Sequence, residues 1–398
     1  DICCRNNAIT NIANPGGESM YIQATLDNLN FPCNSSPAFS NDPISYVCVG
    51  QTFCFNHGAI DVDGDSIAFQ LITPFDNSST NTVNYNPGFN PNQPVSSNPL
   101  MTFDSQTGDI CMTPSAQEVS VTAVIVEQWN NGVLVGSAMR DIQIRVINCN
   151  NTIPAANGIN NTINYSANAC AGSPFSFNVD GFDNDPGQNL TMSWNNGIPA
   201  GTFTIANNNT TNPVGTFSWQ PTIADISPNP HCFTLTVQDD ACPLNGVQTY
   251  SYCILVAGGP VAATASSTPT LCDGDCDGEI TAVGNGGTPG YQYSMDGVTY
   301  GANNVFPGVC AGNHVVYIRD ANTCIDTAQV QVTSPLPISI ASSTVDASCF
   351  GICDGILDAN ISGGTAPYAY SWSGGETTST VQNVCAGLYL IGITDANG

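Results

Sequence analysis

The sequence predicts an all-β protein built of tandem β-sandwiches. Strand-like segments alternate apolar and polar residues or are short β-branched runs, as at 121–129, 141–147, 233–239, 250–256 and 328–333. Clusters of Gly, Pro, Asn and Asp separate them at roughly ten-residue intervals. No window with helical periodicity is long enough to predict an α-helix. Short antiparallel strands at this density are typical of β-sandwiches.

The composition excludes several classes of partner and fold. The 398 residues include four arginines, no lysine and 31 acidic residues, which give a formal net charge of −27. A polyanion repels nucleic acid and anionic lipid, so we expect neither as a partner. The hydrophobic content of 41% suffices for several small cores and argues against disorder. A chain of this length predicts about three or four domains.

The chain contains 18 cysteines, which indicate disulfides formed in an oxidising compartment. Zinc binding is not expected, because zinc knuckles need CxxC pairs with histidine nearby. No apolar run approaches the roughly 18 residues that a membrane-spanning helix needs. No signal peptide opens the sequence, so we expect a mature exported segment whose targeting signals lie outside it.

A tandem repeat occupies residues 258–398. Segments 272–322 and 349–397 share the motifs CxxxCDG, GGTxxYxYS, VCAG and DAN in the same order. The first copy continues to Cys324, whereas the second stops at Gly398, one residue before the expected cysteine. We therefore expect a fragment of a longer array, a design that serves reach and display more often than catalysis.

A second internal homology lies upstream. Segments 48–56 and 108–114 match segments 170–178 and 215–221. These matches predict two copies of another sandwich. The predicted modules are residues 1–30 (the closing hairpin of an upstream module), 31–150 and 151–257 (the two sandwiches), 258–335 (first repeat) and 336–398 (second, truncated repeat).

One disulfide is predicted by comparing the two sandwich copies. Cys54 and Cys111 of the first copy correspond to Ser176 and Ser218 of the second. Because both positions change together, we predict that Cys54 and Cys111 bridge two strands. Closing a loop of this length contributes roughly 4 kcal/mol in the chain-entropy model.

The sequence does not determine how the cysteines of the tandem repeat pair. The first repeat contains Cys272, Cys276, Cys310 and Cys324. With an immunoglobulin-like strand order, one of Cys272 and Cys276 could reach Cys310. Four cysteines allow about three pairings, and the sequence does not choose among them.

An acidic loop in the first sandwich suggests a cation site. Asp61, Asp63 and Asp65 surround a glycine turn and can direct carboxylates at one hard cation such as calcium. The loop is not an EF-hand, because Ile72 stands where that pattern requires glutamate. It resembles the D-x-D-G-D loop of cadherin-like sandwiches, where calcium sits at the domain end. The alternative is a solvated turn that favours Asp and Gly.

The second sandwich keeps part of this acidic pattern. Asp183 and Asp185 match the first two aspartates, and Asp239 is expected in a turn at the same end of the module. We therefore predict a second calcium candidate there. In the tandem repeat only one of three acids recurs, at Asp354, so a metal role common to the repeats is not expected.

No catalytic motif is present, and we predict that the chain is not an enzyme. His57, His231 and His314 lie near no nucleophile pattern, and GxSxG, P-loop, HExxH and dinucleotide-binding motifs are missing from the sequence. The tyrosines that alternate after GGT are interpreted as a half-buried core strand, with an aromatic ligand-binding stripe as the alternative.

The motifs of residues 258–398 resemble the SprB-type repeat of large surface adhesins from gliding bacteria. Segments 1–12 and 34–66 also look like stretches found upstream in gliding-motility-associated surface proteins. The resemblance implies export by the type IX secretion system and attachment at the outer membrane. It also implies O-glycosylation at Asp-Ser/Thr sites, which Ser66 and Thr327 fit. A glycan on Ser66 would compete for space with calcium at Asp65.

Together these observations predict immunoglobulin-like or cadherin-like sandwiches arranged as an elongated rod. The expected function is that of a cell-surface adhesin for attachment and gliding motility. Its expected partners are an extracellular surface or polysaccharide, the outer-membrane secretion and gliding machinery, and other copies of itself. Two alternatives are a structural filament or matrix protein, and accessory modules of a secreted carbohydrate-active enzyme.

Overall fold

A computed structural model of the protein describes residues 4–43, 46–242 and 244–398. The chain divides into two compact units, residues 1–257 and 258–398. Strands dominate both units, and the helical segments within the described ranges are short 3₁₀ turns at Pro15–Gly17, Ile159–Asn161 and Ile223–Asp225. The predicted all-β fold is confirmed.

The first sandwich of unit 1–257 is built around one long hairpin. In the described residues up to 149, the strands are β1 (Ala24–Leu26), β2 (Ala38–Phe39), β3 (Tyr46–Cys48), β4 (Phe53–Phe55), β5 (Ala59–Ile60), β6 (Ser66–Ile72), β7 (Phe75–Ser78), β8 (Asn81–Thr82), β9 (Thr102–Phe103), β10 (Ile110–Met112), β11 (Glu118–Asn130) and β12 (Val133–Ile147). The β11–β12 hairpin lies in a sheet of order β1–β12–β11–β6, and β3 pairs with β12 in parallel. Strands β4, β10 and β9 form a second sheet.

Alternation along the strands places the core between these sheets. Ile142, Ile144 and Val146 of β12 point to the same face and are buried. They pack with Phe53 and Phe55 of β4 in one apolar cluster. The periodicity that predicted strand 141–147 is therefore the periodicity that builds the core.

Residues 4–30 pack on the first sandwich, whereas the sequence assigned 1–30 to an upstream module. Strand β1 pairs with β12, and Ile9 and Ile12 are buried against Val121. Arg5 forms an ion pair of 2.6 Å with Asp141 of β12, and both side chains are almost fully buried. These contacts are distant in sequence and have no local signature, which is why the pattern did not reveal them.

The second sandwich of the same unit repeats the first in outline. Its strands are β13 (Ala155–Ala156), β14 (Ser166–Ala169), β15 (Phe175–Phe182), β16 (Leu190–Trp194), β17 (Thr202–Ala206), β18 (Val214–Trp219), β19 (His231–Asp239) and β20 (Val247–Val256). They form the sheets β13–β15–β18–β17 and β14–β20–β19–β16. Strand β14 pairs with β20 in parallel, as β3 does with β12. The core contains the buried rings of Phe177, Phe217, Phe233 and Tyr252.

Unit 258–398 contains the two tandem repeats. Its strands are β21 (Val261–Thr268), β22 (Gly278–Gly286), β23 (Gln292–Ser294), β24 (Val305–Val309), β25 (Gly312–Arg319), β26 (Ile325–Val332), β27 (Ser339–Val345), β28 (Gly355–Ser362), β29 (Ala369–Trp372), β30 (Thr380–Val384) and β31 (Ile391–Thr394). The first repeat has sheets β21–β22–β24 and β23–β25–β26, and the second has β27–β28–β30 and β29–β31. The register shift where β22 meets β24 recurs where β28 meets β30.

The repeated motifs GGT and DAN form one interlocked loop structure. Gly286 and Gly287 both have positive φ, which favours glycine. The Tyr291 hydroxyl donates to the Gly286 carbonyl, and the Thr288 amide donates to Asp320 Oδ2 at 2.8 Å. The second repeat contains the same contacts, from the Tyr368 hydroxyl to Gly363 and from the Thr365 amide to Asp395.

We predict that Asp320→Ala destabilises the repeat by about 3 kcal/mol, because it leaves three backbone donors, one buried and two partly buried, without an acceptor. Asp320 is 2% exposed and accepts from the amides of Thr288, Asn322 and Cys324. Urea unfolding with intact disulfides measures the loss. The exposed Asp273→Ala variant is the control, and equal costs for both variants would contradict this role.

Candidate functional site

The first feature of functional interest is a disulfide between directly opposed residues of one sheet. Cys54 of β4 and Cys111 of β10 are register partners, their Cα atoms are 4.1 Å apart, and their sulfurs are bonded. The equivalent residues of the second sandwich, Ser176 and Ser218, are also register partners. Their hydroxyl oxygens lie 3.0 Å apart. A hydrogen bond therefore stands where the first sandwich has a covalent one.

Two further disulfides hold neighbouring strands of unit 1–257. Cys232 of β19 and Cys253 of β20 are opposed in register and bridged. Cys48 ends β3 and is bridged to Cys149, just beyond β12, across 101 residues. The sequence motifs did not predict either of these two pairs. The positions of Cys232 and Cys253 about their hairpin turn could have revealed the first pair, whereas the second depends on a long-range parallel pairing.

In the tandem repeats, the second cysteine of each CxxxC turn is the one that is bridged. Cys276 is bonded to Cys310 and, equivalently, Cys353 to Cys385. The cause is register, because β22 begins two residues after Cys276 and its first residue pairs with the end of β24, next to Cys310.

Cys272 was predicted as a disulfide cysteine, and this prediction is wrong for the described structure, in which its thiol is free. It lies four residues before Cys276 on the turn. Its counterpart Cys349 is free as well. Cys324, the fourth cysteine of the first repeat, is disulfide-bonded.

The acidic loop of the first sandwich is held by hydrogen bonds from its own surroundings. Asp61 Oδ1 accepts from the amides of Asp63 and Asp65, each at 3.0 Å. The Asp65 carboxylate accepts from the side chains of Gln128 and Asn130, at 2.8 and 2.7 Å. Burial raises the pKa of Asp61, whose Oδ2 atom is buried without a hydrogen-bond partner.

The second sandwich repeats this arrangement. Asp183 Oδ1 accepts from the Asp185 amide at 2.9 Å, and its Oδ2 atom is buried without a partner. Burial raises the pKa of Asp183, and the charges of Asp239 and Asp185 raise it further. Asp185 Oδ2 accepts from the Thr152 amide and Asp239 Oδ2 from Asn151 Nδ2, so contacts with two adjacent residues bring the three predicted aspartates to one end of the module.

The carboxylates do not converge in either loop. Asp239 is directed to its own turn, where it accepts from the Gly246 amide at 2.8 Å and from Asn151 Nδ2 at 2.7 Å. Over the part of the chain that the structure describes, no three His, Cys, Asp or Glu side chains are grouped so as to hold a metal ion.

The two predicted glycosylation residues are both accessible. Ser66 is exposed at the start of β6, directly after Asp65. Thr327 is exposed in β26 of the first repeat. The structure therefore leaves room for a modification at each hydroxyl.

The histidines have structural surroundings. His57 is buried and packs edge-on against Phe39 and Phe55, and burial lowers its pKa to about 3. The ring nitrogens Nε2 of His231 and His314 lie 2.7 and 2.9 Å from backbone carbonyl oxygens. Both ring nitrogens of His57, by contrast, are buried without a hydrogen-bond partner.

Residues 341–377 match the family model of the SprB repeat. This stretch begins in β27, ends beyond β29, and contains the second CxxxCDG and GGTxxYxYS motifs. The chain therefore contains an SprB repeat, and the resemblance of its motifs to this repeat is confirmed. Together with the disulfides, the repeat indicates an extracellular protein.

Comparison with solved structures finds tandem cadherin and immunoglobulin domains. Extracellular cadherin domains 3–6 of protocadherin gamma B2 are 13% identical, with 90% of this chain and 95% of that chain covered and a TM-score of 0.20. Cadherin-like domains 1 to 4 of zebrafish RET are 12% identical, with 73% and 71% covered and a TM-score of 0.20. Immunoglobulin domains 1–5 of Sidekick-1 are 11% identical, with 90% and 78% covered and a TM-score of 0.22.

No curated protein matches the sequence. Among the described residues, no helix has the length and apolar character that crossing a membrane requires.

Proposed function

We propose that this chain is part of a cell-surface adhesin that mediates attachment and gliding motility. The observation that carries the proposal is the SprB repeat at 341–377, preceded by a second copy of the same motifs. Export by the type IX system, anchoring at the outer membrane and contact with the gliding machinery belong to the same proposal. They are supported by the resemblance of the motifs.

The surface chemistry supports binding to a neutral, hydrogen-bonding partner such as a polysaccharide. Only 9% of the residues are charged, and most of the four arginines already contact other side chains of the fold. Arg5 is buried against Asp141, and the guanidinium groups of Arg140 and Arg319 lie over aromatic rings. A negatively charged partner would therefore have few cationic side chains to bind. Exposed Asn, Ser and Thr side chains, by contrast, offer both hydrogen-bond donors and acceptors.

Calcium binding at the two acidic loops is also proposed. Its support is the buried, unpartnered Oδ2 atom of Asp61 and the equivalent atom of Asp183. A buried carboxylate oxygen without a partner is costly, and a bound cation would remove that cost. The other carboxylates already accept hydrogen bonds, so further ligands would have to come from neighbouring backbone or amide oxygens.

We predict that calcium raises the melting temperature of the full chain, because a ligand that binds only the folded state stabilises it by about 2.7 kcal/mol at a hundred times its Kd. Asp61→Asn should reduce the shift while keeping an acceptor for the two loop amides. Asp104→Asn, in an exposed turn that accepts from Gln106 and Thr107, is the matched control. Equal melting in calcium and in EDTA would refute the site.

The proposed adhesion predicts dependence on valency. Repeated modules multiply weak single contacts, so beads coated densely with the chain should attach to a polysaccharide surface that the soluble monomer binds weakly.

Antibody-coated beads bound to residues 258–398 on living cells should travel along the surface. Beads that stay fixed on adherent cells would indicate an adhesin that attaches the cell but does not move along its surface. Deletion of the gene without loss of attachment or spreading would contradict adhesion and favour the filament.

A further inference from the structure

The two sandwiches of unit 1–257 are joined by a network of side-chain hydrogen bonds. Asn56, directly after β4, is 1% exposed, and its Nδ2 atom donates to Asp109 Oδ1 at 2.9 Å and to Ser251 Oγ of β20 at 3.0 Å. The Ser251 hydroxyl donates to Asp109 Oδ1 at 2.5 Å. A further bond of 3.1 Å joins Asn41 Nδ2 to Thr234 Oγ1 of β19. These bonds hold strands of one sandwich against strands of the other.

A cleft of about 460 Å³ lies beside this network, where the two sandwiches meet. The first sandwich contributes residues from segments 59–69 and 106–107, and the second contributes residues from 195–199 and 224–234. The volume falls within the range of roughly 300–1,000 Å³ that small-ligand sites occupy. Because the network ties both walls together, the cleft is formed before a ligand arrives, which lowers the cost of binding.

Three side-chain amides that border the cleft have groups free to bind a ligand. Asn195 Oδ1 accepts from the amides of Gly197 and Thr234, at 3.1 and 2.9 Å, which orients the side chain. Its Nδ2 atom has no partner among the described residues. Gln106 and Asn229 are exposed and use only their main-chain amides for hydrogen bonds within the described structure. Their side chains therefore offer both donors and acceptors.

The charges around the cleft do not favour an ionic ligand. Among the described residues that line it, none is an arginine, and the chain contains no lysine, so an anion would face carboxylates instead. The carboxylates of Asp65 and Asp225 already accept hydrogen bonds from other side chains, and the unpartnered Asp61 oxygen is buried. A ligand suited to this cleft is therefore uncharged and rich in hydrogen-bonding groups.

The apolar part of the cleft suits the C–H faces of sugar rings. Val62 of the first sandwich is 71% exposed, and Pro199 of the second is exposed as well. Phe69 and Phe233 also border the cleft, but both are buried, so a planar aromatic ligand could not stack on them. A sugar ring has hydroxyl groups at its edge and aliphatic C–H groups on its faces, and it therefore matches both kinds of lining residue.

We propose that this cleft binds a short uncharged segment of a polysaccharide, with Gln106, Asn195 and Asn229 forming hydrogen bonds to its hydroxyl groups. The inference rests on the proposed adhesion and assigns the polysaccharide contact to a site between the two sandwiches. The sugar-binding element is then separate from the tandem repeats. A single cleft of this kind binds weakly, so attachment depends on many chains that act together.

The test titrates the full chain with cellotetraose, laminaritetraose, maltotetraose and chitotetraose, in EDTA so that calcium at the acidic loops plays no part. At least one of these neutral sugars should bind, whereas the carboxylated tetragalacturonate should not. The double variant Gln106→Ala/Asn229→Ala should bind about tenfold more weakly, because two hydrogen-bonding side chains are lost. The matched control is Gln70→Ala/Asn212→Ala, which removes two exposed amides outside the cleft and should leave binding unchanged.

A variant that fills the cleft gives an independent measurement. Ala224 is exposed on the wall of the second sandwich, so Ala224→Trp should block the sugar while leaving the three amides in place. Unchanged melting temperatures show that each variant is folded. Failure of all four neutral sugars to bind, tighter binding of tetragalacturonate, or equal binding by the cleft and control variants would overturn the proposal.

Beads coated densely with the same variants separate this inference from the proposed adhesion. Natural-chain beads should attach to a polysaccharide surface, and beads with either cleft variant should detach more easily. Equal attachment of natural and cleft-variant beads would overturn the cleft and leave the adhesion standing. Natural-chain beads that do not attach would contradict the adhesion and the cleft together.

Discussion

The structure depends on covalent bonds between neighbouring strands. Cys54–Cys111 and Cys232–Cys253 join residues that face each other in register, and Cys276–Cys310 joins the ends of two paired strands. Each bond lies within one sheet and does not cross between sheets. The modules are small and bury limited apolar surface, so such bonds supply stability that the cores cannot. They also keep paired strands from separating.

The same bonds have a mechanical consequence for the proposed adhesion. In each sandwich of unit 1–257 an early strand runs parallel to the last strand, β3 with β12 and β14 with β20. Tension on the chain loads such a pair in shear, so its hydrogen bonds must break together. In the first sandwich, Cys48–Cys149 locks the parallel pair covalently.

The sequence predicted correctly the structural features that depend on the local pattern of residues. The predicted strand at 121–129 lies within β11, and the alternation at 141–147 reproduces the buried face of β12. The serines that replace Cys54 and Cys111 in the second sandwich turn out to be register partners in their own sheet. Such inferences succeed because they compare equivalent positions or depend on the strand period.

The predictions that were wrong or incomplete concern contacts between residues far apart in the sequence. Arg5 and Asp141 are 136 residues apart in sequence, so nothing local assigns residues 4–30 to the first sandwich. Cys272 and Cys276 look equivalent on one turn, and only the pairing of β22 with β24 selects Cys276. Asp61, Asp63 and Asp65 have the spacing of cation ligands, but side chains elsewhere in the module already donate to Asp65. Long-range geometry decided each case.

Pulling single molecules under oxidising and reducing conditions tests most directly whether disulfides limit extension. With Cys48–Cys149 intact, unfolding of the first sandwich cannot release the 101 residues between them. Reduction should therefore add about 350 Å of contour length to that event, at roughly 3.5 Å per residue. Without reductant, Cys48→Ser should add only about 150 Å, at roughly 3.5 Å per residue, because the intact Cys54–Cys111 bond still spans 57 of the 101 residues. Equal contour lengths in both conditions would contradict the account.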